Sequence, residues 1–356
     1  MKIYHSSLPL LPDLNEFFPE ISPNPCFFDI ETTGLSWRNS HLCLLGIVSL
    51  ESDSWQITQI FLESPLEEKQ ALETFLSQLS AGSLLIHYNG STFDIPYLTG
   101  KCGMYGIDFS FHARKEMDLY RRLRPFQHFL PSSSMKQKDL ELLTGFTRSD
   151  RMDSSQIARF YKKYILTRDE KARDLLLLHN CDDLKGMMAL WPLLSLERLF
   201  SRSYPVHLAE DRENSVTFSL SEGLDLSFPI AFSSGPFSIS NTKNQLQLSS
   251  AAVRETMKLF FPNYRDYYYL PEEDMAIHKS VGQFVDKNHR RQATAATCYQ
   301  RKEDIFLPAP PGFSVLPLFT RSYREKEKFC LKKDVLQDPS AARQYVYCVL
   351  QHLLHG

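Results

Sequence analysis

Carboxylates interrupt the most apolar stretches in the first half of this chain at three places: Asp29 and Glu31 in CFFDIETTGL, Asp94 in HYNGSTFDIPYL, and Asp183 in LLLLHNCDDLKGM. Isolated carboxylates usually sit on solvated faces, and in apolar surroundings an unpaired charge is costly unless a cation neutralises it. Three such conflicts in one half of a chain call for a fold that gathers the segments around one cation-binding centre. That requirement constrains the architecture more than composition does.

The intervening pattern supplies the elements. CFFDI is a short apolar run, TTGL a turn, and HLCLLGIVSL and WQITQIFLE two further strands, so a three-strand meander begins at the first acidic island. PLEEKQALETFLSQL spaces its apolar residues as a helix does and puts acids in the first turn. SLLIHYN predicts another strand, followed by helices in FDIPYLTGKCGMYG, MDLYRRL, MKQKDLELLTG, SSQIARFYKKYI and DEKARDLLLLHNCDDLKGMMALWPLLSLERLF. Strands first and helices after, with a strand–helix–strand unit inside, describe an α/β sheet covered by helices. After Phe200 the texture changes. Residues 212–250 alternate apolar and polar and are broken by Gly, Pro and Ser, which predicts several antiparallel strands. AAVRETMKLFF, EDMAIHKSVGQFVDKNHRR and PSAARQYVYCVLQHLL read as helical, and LPAPPGFSVLPL as a proline-rich connector. The expected organisation is an N-terminal extension over 1–23, an α/β domain over 24–203, and a smaller α+β accessory region over 212–356.

With 356 residues the chain exceeds the usual size of one domain, and 43% apolar content suffices for two cores. No apolar run approaches the roughly 20 residues that span a bilayer, and the start meets acidic and proline residues too early for a signal peptide. The seven cysteines are odd in number and form no CxxC pair. Reduced thiols in a cytoplasm are therefore expected, with no zinc site and no membrane partner. A net charge of −2 conceals an uneven distribution: His112 to Arg173 holds 15 Lys/Arg against 8 Asp/Glu. Such a segment suits a phosphate backbone, held with an affinity that falls steeply with salt; a set of solvated helix faces is the other reading.

The acidic islands have their own geometry. Asp29 and Glu31 lie two apart on a strand, so both point to one face at roughly 6–7 Å Cα separation and can share a cation. Phe28 and Ile30 then point into the core, while Thr32, Thr33 and Gly34 make a tight exit that lets a polymer approach the backbone. Asn89 and Asp94 flank a small-residue loop, where Asp94 could cap the following helix or join the groove beside Asn89 and Tyr97. His179 and Asp183 are four apart on a helix and share a face, whereas Asp182 is turned about 100° away. The histidine is either a satisfied core residue or a catalytic neighbour of the metal ligand.

DIETTGL, then YNGSTFDIPYL, then HNCDD, in that order and spacing, resembles the DEDD superfamily of 3′→5′ exonucleases, and within it the YprB-type ribonuclease H-like family, whose N..FD.P.L second motif and Asp118-containing MDLYRRL stretch also match. The resemblance covers about residues 24–200. It implies a ribonuclease H-like exonuclease fold, a mixed sheet flanked by helices. It also implies two Mg²⁺ or Mn²⁺ ions held by Asp29, Glu31, Asp94 and Asp183, with Asp29 bridging both. His179 would orient or deprotonate the attacking water, and Asp118 would orient a neighbouring element. Thr32, Gly34, Leu35, Asn89 and Tyr97 are the expected substrate contacts, with Arg121, Arg122 and Arg124 along the strand. Better-known subclasses carry His five residues before the last Asp or Tyr four before it; this chain has His at the Tyr spacing.

The second half carries no catalytic motif. Residues 251–356 hold 16 Lys/Arg against 12 Asp/Glu. Tyr264, Tyr267, Tyr268 and Tyr269 stand near Lys279, Arg290 and Arg291, as single-strand stacking and phosphate contacts would require, or are core residues with satisfied hydroxyls. RSYREKEKFCLKK reads as a solvated, alternating-charge face. Two functions follow from the sequence. One is a two-metal-dependent 3′→5′ exonuclease on single-stranded or frayed DNA or RNA, in repair or processing, with a helicase or similar protein as partner. The other is a non-catalytic nucleic-acid-binding or scaffolding module that keeps the fold.

Overall fold

The computed structural model describes residues 1–8, 25–51, 54–79, 83–201, 204–220, 228–242 and 245–355. They form two compact units, Met1–Glu197 and Arg198–Gly356.

The first unit is built on a six-stranded mixed sheet. Its strands are β1 (Lys2–Leu8), β2 (Pro25–Thr32), β3 (Leu42–Glu51), β4 (Ser54–Phe61), β5 (Leu84–His87) and β6 (Lys115–Asp118), in the order β1-β4-β3-β2-β5-β6. The meander β2-β3-β4 is antiparallel, and β5 and β6 continue it in parallel from β2. Residues 1–23, expected as an extension, contain β1, which pairs antiparallel with β4 at the sheet edge; residues 9–24 lie outside the described residues. Strands β2 and β3 are buried along nearly their whole length, as strands covered on both faces must be.

Helices close the faces. Helix α1 (Glu68–Gln78) follows a single turn in which Ser64 and Glu67 form a capping box, two reciprocal side-chain-to-backbone bonds that stabilise the start. Helix α2 (Asp94–Tyr105) ends at Gly106, whose φ of +65° favours glycine. Lys101 on α2 and Glu68 on α1 form a buried ion pair at 2.8 Å; Glu68 also accepts from the Leu42 amide at 2.7 Å, and the ammonium donates to the Ser40 carbonyl at 2.8 Å. The pair thus fastens the loop before β3 to two helices.

Several elements differ from the sequence expectation. MDLYRRL divides into the end of β6 and helix α3 (Leu119–Leu123), because Met117 is buried beside β5 and Asp118 caps the helix by accepting from the Tyr120 and Arg121 amides at 3.0 and 3.3 Å. After the short α4 (Gln137–Glu141) and α5 (Ile157–Thr167) comes α6 (Glu170–Ala189). Its apolar run stops before Trp191-Pro192, since proline lacks the amide an α-helix interior needs and restricts the residue before it. AAVRETMKLFF, expected helical, is a strand over Val253–Phe260; its apolar residues fit either period over so short a run.

The second unit holds an antiparallel sheet ordered β7-β8-β11-β10-β9, from β7 (Val206–Arg212), β8 (Ser215–Leu220), β9 (Ala231–Ser234), β10 (Phe237–Thr242) and β11 (Gln245–Ala251). Two three-stranded sheets follow: β12 (Val253–Phe260), β16 (Tyr299–Pro308) and β17 (Phe329–Leu331), and β13 (Tyr267–Leu270), β14 (Met275–His278) and β15 (Arg291–Gln292). The stretch EDMAIHKSVGQFVDKNHRR, expected helical, is β14, one turn at Lys279–Gly282 and another at Lys287–His289. Helices α7 (Lys332–Gln337) and α8 (Pro339–His355) end the chain, with the Tyr345 hydroxyl between Ser250 Oγ and the Pro308 carbonyl, each at 2.8 Å.

Candidate active site

Asp29, Glu31, Asp94 and Asp183 line one cavity of about 460 Å³, together with Thr32, Gly34 and Leu35. Strand alternation puts Asp29 and Glu31 on the same side of β2, while Phe28 and Ile30 join the core. Asp94 is the first residue of α2. The cap position of the helix is Phe93, with no side-chain cap bond; the buried Asp94 carboxylate is eased by the backbone amides of Asp94 itself and of Ile30. Asp183 comes from α6, which lies over β2 and β3. That approach depends on Gly46, since a Cβ there would stand 2.2 Å from the Asn180 side-chain oxygen. Asn180 in turn donates to Asp29 Oδ2 at 2.9 Å.

This crowding of carboxylates sets the electrostatics. Burial, then the neighbouring charges of Asp183 and Asp94, pushes Asp29 well above the usual carboxylate range. Glu31 is raised by burial and then by Asp29, and burial lifts Asp94 to about 7. Glu31 is 4% exposed, and its Oε1 is buried with no hydrogen-bond partner. Glu31, His179 and Asp183 offer ligand atoms within 4.8 Å of one another. An orphaned carboxylate oxygen among oxygen ligands, with Asp29, Glu31 and Asp94 raised above the usual carboxylate range by burial and mutual repulsion, fits a hard divalent ion.

His179 is anchored by a residue that periodicity does not reveal. Its Nδ1 lies 2.5 Å from Asp150 Oδ2, and its Nε2 lies 3.4 Å from Asp183 Oδ2. Asp150 is buried and is fixed by its own surroundings: its backbone amide donates to Asp182 at 2.7 Å, and its Oδ1 accepts from the Met152 amide. Asp182, turned away from the cavity as helix geometry predicts, thus positions the loop that carries Asp150. Arg148 is a second unforeseen neighbour. Its Nη2 lies 2.6 Å from Asp183 Oδ1, and its other contacts are two 2.6 Å bonds to buried Glu141. Asn180 had a signal in sequence, three residues before Asp183; Arg148 and Asp150 sit in an irregular segment with none.

A second cavity, about 820 Å³, shares Asp183 with the first and is lined by Tyr88, Asn89, Tyr120, Lys136 and Lys138, among others. Asn89 takes a φ of +59° there. Tyr97, expected beside the groove, is instead 2% exposed with its hydroxyl 2.9 Å from Ser40 Oγ. Arg122 is committed to Glu197. Arg121 is 61% exposed, and Arg124 stands 5.9 Å over the Tyr120 ring. Asp118 orients its surroundings, accepting from the Asn89 amide at 2.9 Å. Nearby His87, Glu116 and Asp118 also cluster, but His87 Nδ1 accepts from the Gly90 amide at 3.0 Å. That leaves its proton on Nε2, 3.2 Å from Glu116, while Asp118 Oδ2 is buried without a hydrogen-bond partner.

A meander continued by parallel strands, flanked by helices and carrying acids on its central strand, is a ribonuclease H-like fold. Residues 26–195 match the model of the RNase_H_2 family of the RNase_H superfamily. Solved structures similar to the chain include apo exonuclease I, at 16% identity over 56% of this chain and 57% of that one, TM-score 0.30. E. coli exonuclease I in complex with a dT13 oligonucleotide is similar at 17% identity over 55% of this chain and 54% of that one, TM-score 0.29. The family B DNA polymerase of the hyperthermophilic archaeon Pyrobaculum calidifontis is similar at 12% identity over 93% and 46%, TM-score 0.40. The chain thus covers less than two thirds of the length of each. No curated protein sequence matches it.

Proposed function

We propose that this protein is a divalent-metal-dependent 3′→5′ exonuclease of the DEDD type, YprB-like, acting in the cytoplasm on single-stranded or frayed nucleic acid. The observation that carries the reading is the convergence of Asp29, Glu31, Asp94 and Asp183 on one cavity, with a buried Glu31 oxygen left unpartnered. These four residues would hold two Mg²⁺ or Mn²⁺ ions. Bound there, the ions supply water activation and stabilisation of the leaving oxygen. His179, held through Nδ1 by Asp150, presents Nε2 toward Asp183 and is placed to take a proton from the attacking water.

The lining of the two cavities supports cleavage from an end. The first contains no Lys or Arg among its lining residues, which suits a terminal nucleoside. The second offers the rings of Tyr88 and Tyr120 for stacking of the following bases, with Lys136 and Lys138 set among Asp139, Asp153 and Asp183. The 3′ polarity rests on the motif resemblance. One observation favours a scaffold instead: Arg148 already neutralises Asp183, so metal has to compete with it. Titration calorimetry with Mn²⁺ separates the two. The enzyme binds the ion and loses it in Asp29→Ala; the scaffold shows no heat of binding at millimolar concentrations.

A further inference from the structure

The tyrosines of β13 divide between two environments. Tyr267 and Tyr269 pack on the small core of Ala276, Ala293 and Cys298, with Tyr267 stacked on Phe261 at 5.1 Å and the Tyr269 hydroxyl donating to Asp274 at 2.7 Å. These two are structural. Tyr268, between them, faces the other way, as strand alternation requires. The Arg290 guanidinium stands 4.6 Å from its ring and the Lys279 ammonium 5.4 Å. Gly282 rests against the same ring, since a Cβ there would meet it at 3.0 Å, and Arg290 also donates to the Gly282 carbonyl.

From this turn Val281 and Phe284 project into solvent, 57% and 84% exposed. The Phe284 amide donates to the Val281 carbonyl at 3.2 Å, so both side chains leave one side of a helical turn. The surrounding charge is mainly positive: residues 275–292 hold Lys279, Lys287, Arg290 and Arg291 against Asp286, and Glu272 is taken up by His289 at 3.0 Å. Asp286 is occupied in accepting from the Asn288 amide at 2.8 Å.

An open phenyl ring on a turn that also carries Lys279 and Lys287 matches a ligand that offers planar faces and repeated anions together. Bases stack on aromatic side chains regardless of sequence, while Lys and Arg hold the backbone. We propose that the Tyr268–Lys279–Phe284–Lys287 surface of the second unit is a single-stranded nucleic-acid contact separate from the candidate active site. The choice of polymer rests on the nuclease reading above. An anionic membrane shares the charge complement, but two exposed apolar side chains give little area to bury in lipid.

The test uses the full chain in EDTA, so that nothing is cleaved, and follows a fluorescent short oligothymidylate by anisotropy. Phe284→Ser weakens binding about tenfold, and Phe284→Trp keeps it. The pair Lys279→Gln with Lys287→Gln flattens the dependence of log Kd on log salt by roughly 1.4, the loss of two single-strand phosphate contacts. Thermal melting verifies that these exposed changes leave the fold intact. Equal affinity and salt slope in parent and variants overturn the proposal. So does a parent chain that binds phosphatidylserine vesicles and not the oligonucleotide, or that binds neither. Binding lost in Phe284→Ser by a parent that cleaves nothing in Mn²⁺ overturns the nuclease reading and leaves this surface standing.

Discussion

Four carboxylates and one arginine meet at the candidate site, and that imbalance governs its response to pH. Asp94 is held protonated up to about 7 by burial, and Asp29 and Glu31 are raised in the same sense. A folded-state pKa above the unfolded value means that the native state binds more protons. Stability is then fully present below the unfolded carboxylate pKa and is lost as pH rises from about 4 to about 7. In EDTA, Tm should accordingly fall across that window, with Asp94 accounting for at most roughly 4 kcal/mol. Asp94→Asn should flatten the curve, and Mn²⁺ should restore Tm above the window; a Tm that rises with pH in EDTA contradicts the assignment. Arg148 opposes the acids directly. Arg148→Met leaves buried Glu141 and Asp183 uncompensated, costing about 3–5 kcal/mol without metal, yet removes the competitor for Asp183 and should tighten Mn²⁺ binding in calorimetry. Asp150→Asn should lower kcat about a hundredfold or more with KM little changed, because His179 loses its orientation; equal turnover would take His179 out of the chemistry.

At the scale of elements, the site depends on how closely α6 lies on the sheet. Gly46 is the point of closest approach, with no room for a methyl group beneath Asn180 and Leu184. Gly46→Ala should lift the helix, break the Asn180–Asp29 bond and lower both Tm and Mn²⁺ affinity, whereas retained affinity would mean the helix can settle elsewhere. Lys101→Met should cost about 3–5 kcal/mol in denaturant melts by stranding Glu68. The elements that were legible in sequence are those whose signals are local. The meander, α1, and the shared face of His179 and Asp183 all follow from alternation or helical spacing. What was hidden depends on neighbours distant in sequence. Four residues of β6 become a strand only beside β5, Tyr97 turns from the groove to meet Ser40, and Asp150 reaches His179 from a loop without period. β12 reads as a helix because Val253, Met257 and Phe260 stand at helical spacing around Arg, Glu, Thr and Lys, and only pairing with β16 decides it.

For the molecule as a whole, the basic stretch from His112 to Arg173 shows why a charge count overstates a surface. Arg148 and Arg122 are bound to acids, Lys163 to Asp169, and Arg168 donates to the Glu63 carbonyl at 2.7 Å. Arg121, Arg124 and Lys136 remain exposed. The seven cysteines are all free thiols, and among the described residues no helix is long and apolar enough to cross a membrane. The second unit carries its own cores and its own basic, aromatic surface, and no catalytic grouping in it could be read from sequence. The central claim concerns the first unit, that its acids form a nuclease centre. It is tested most directly by incubating 5′-labelled single-stranded DNA and RNA of matched sequence with the full chain in Mn²⁺ or EDTA, beside Asp29→Ala. A metal-dependent ladder shortening from the 3′ end, absent in the variant, is the predicted result. No shortening of either strand in Mn²⁺, with binding intact in both proteins, would contradict it.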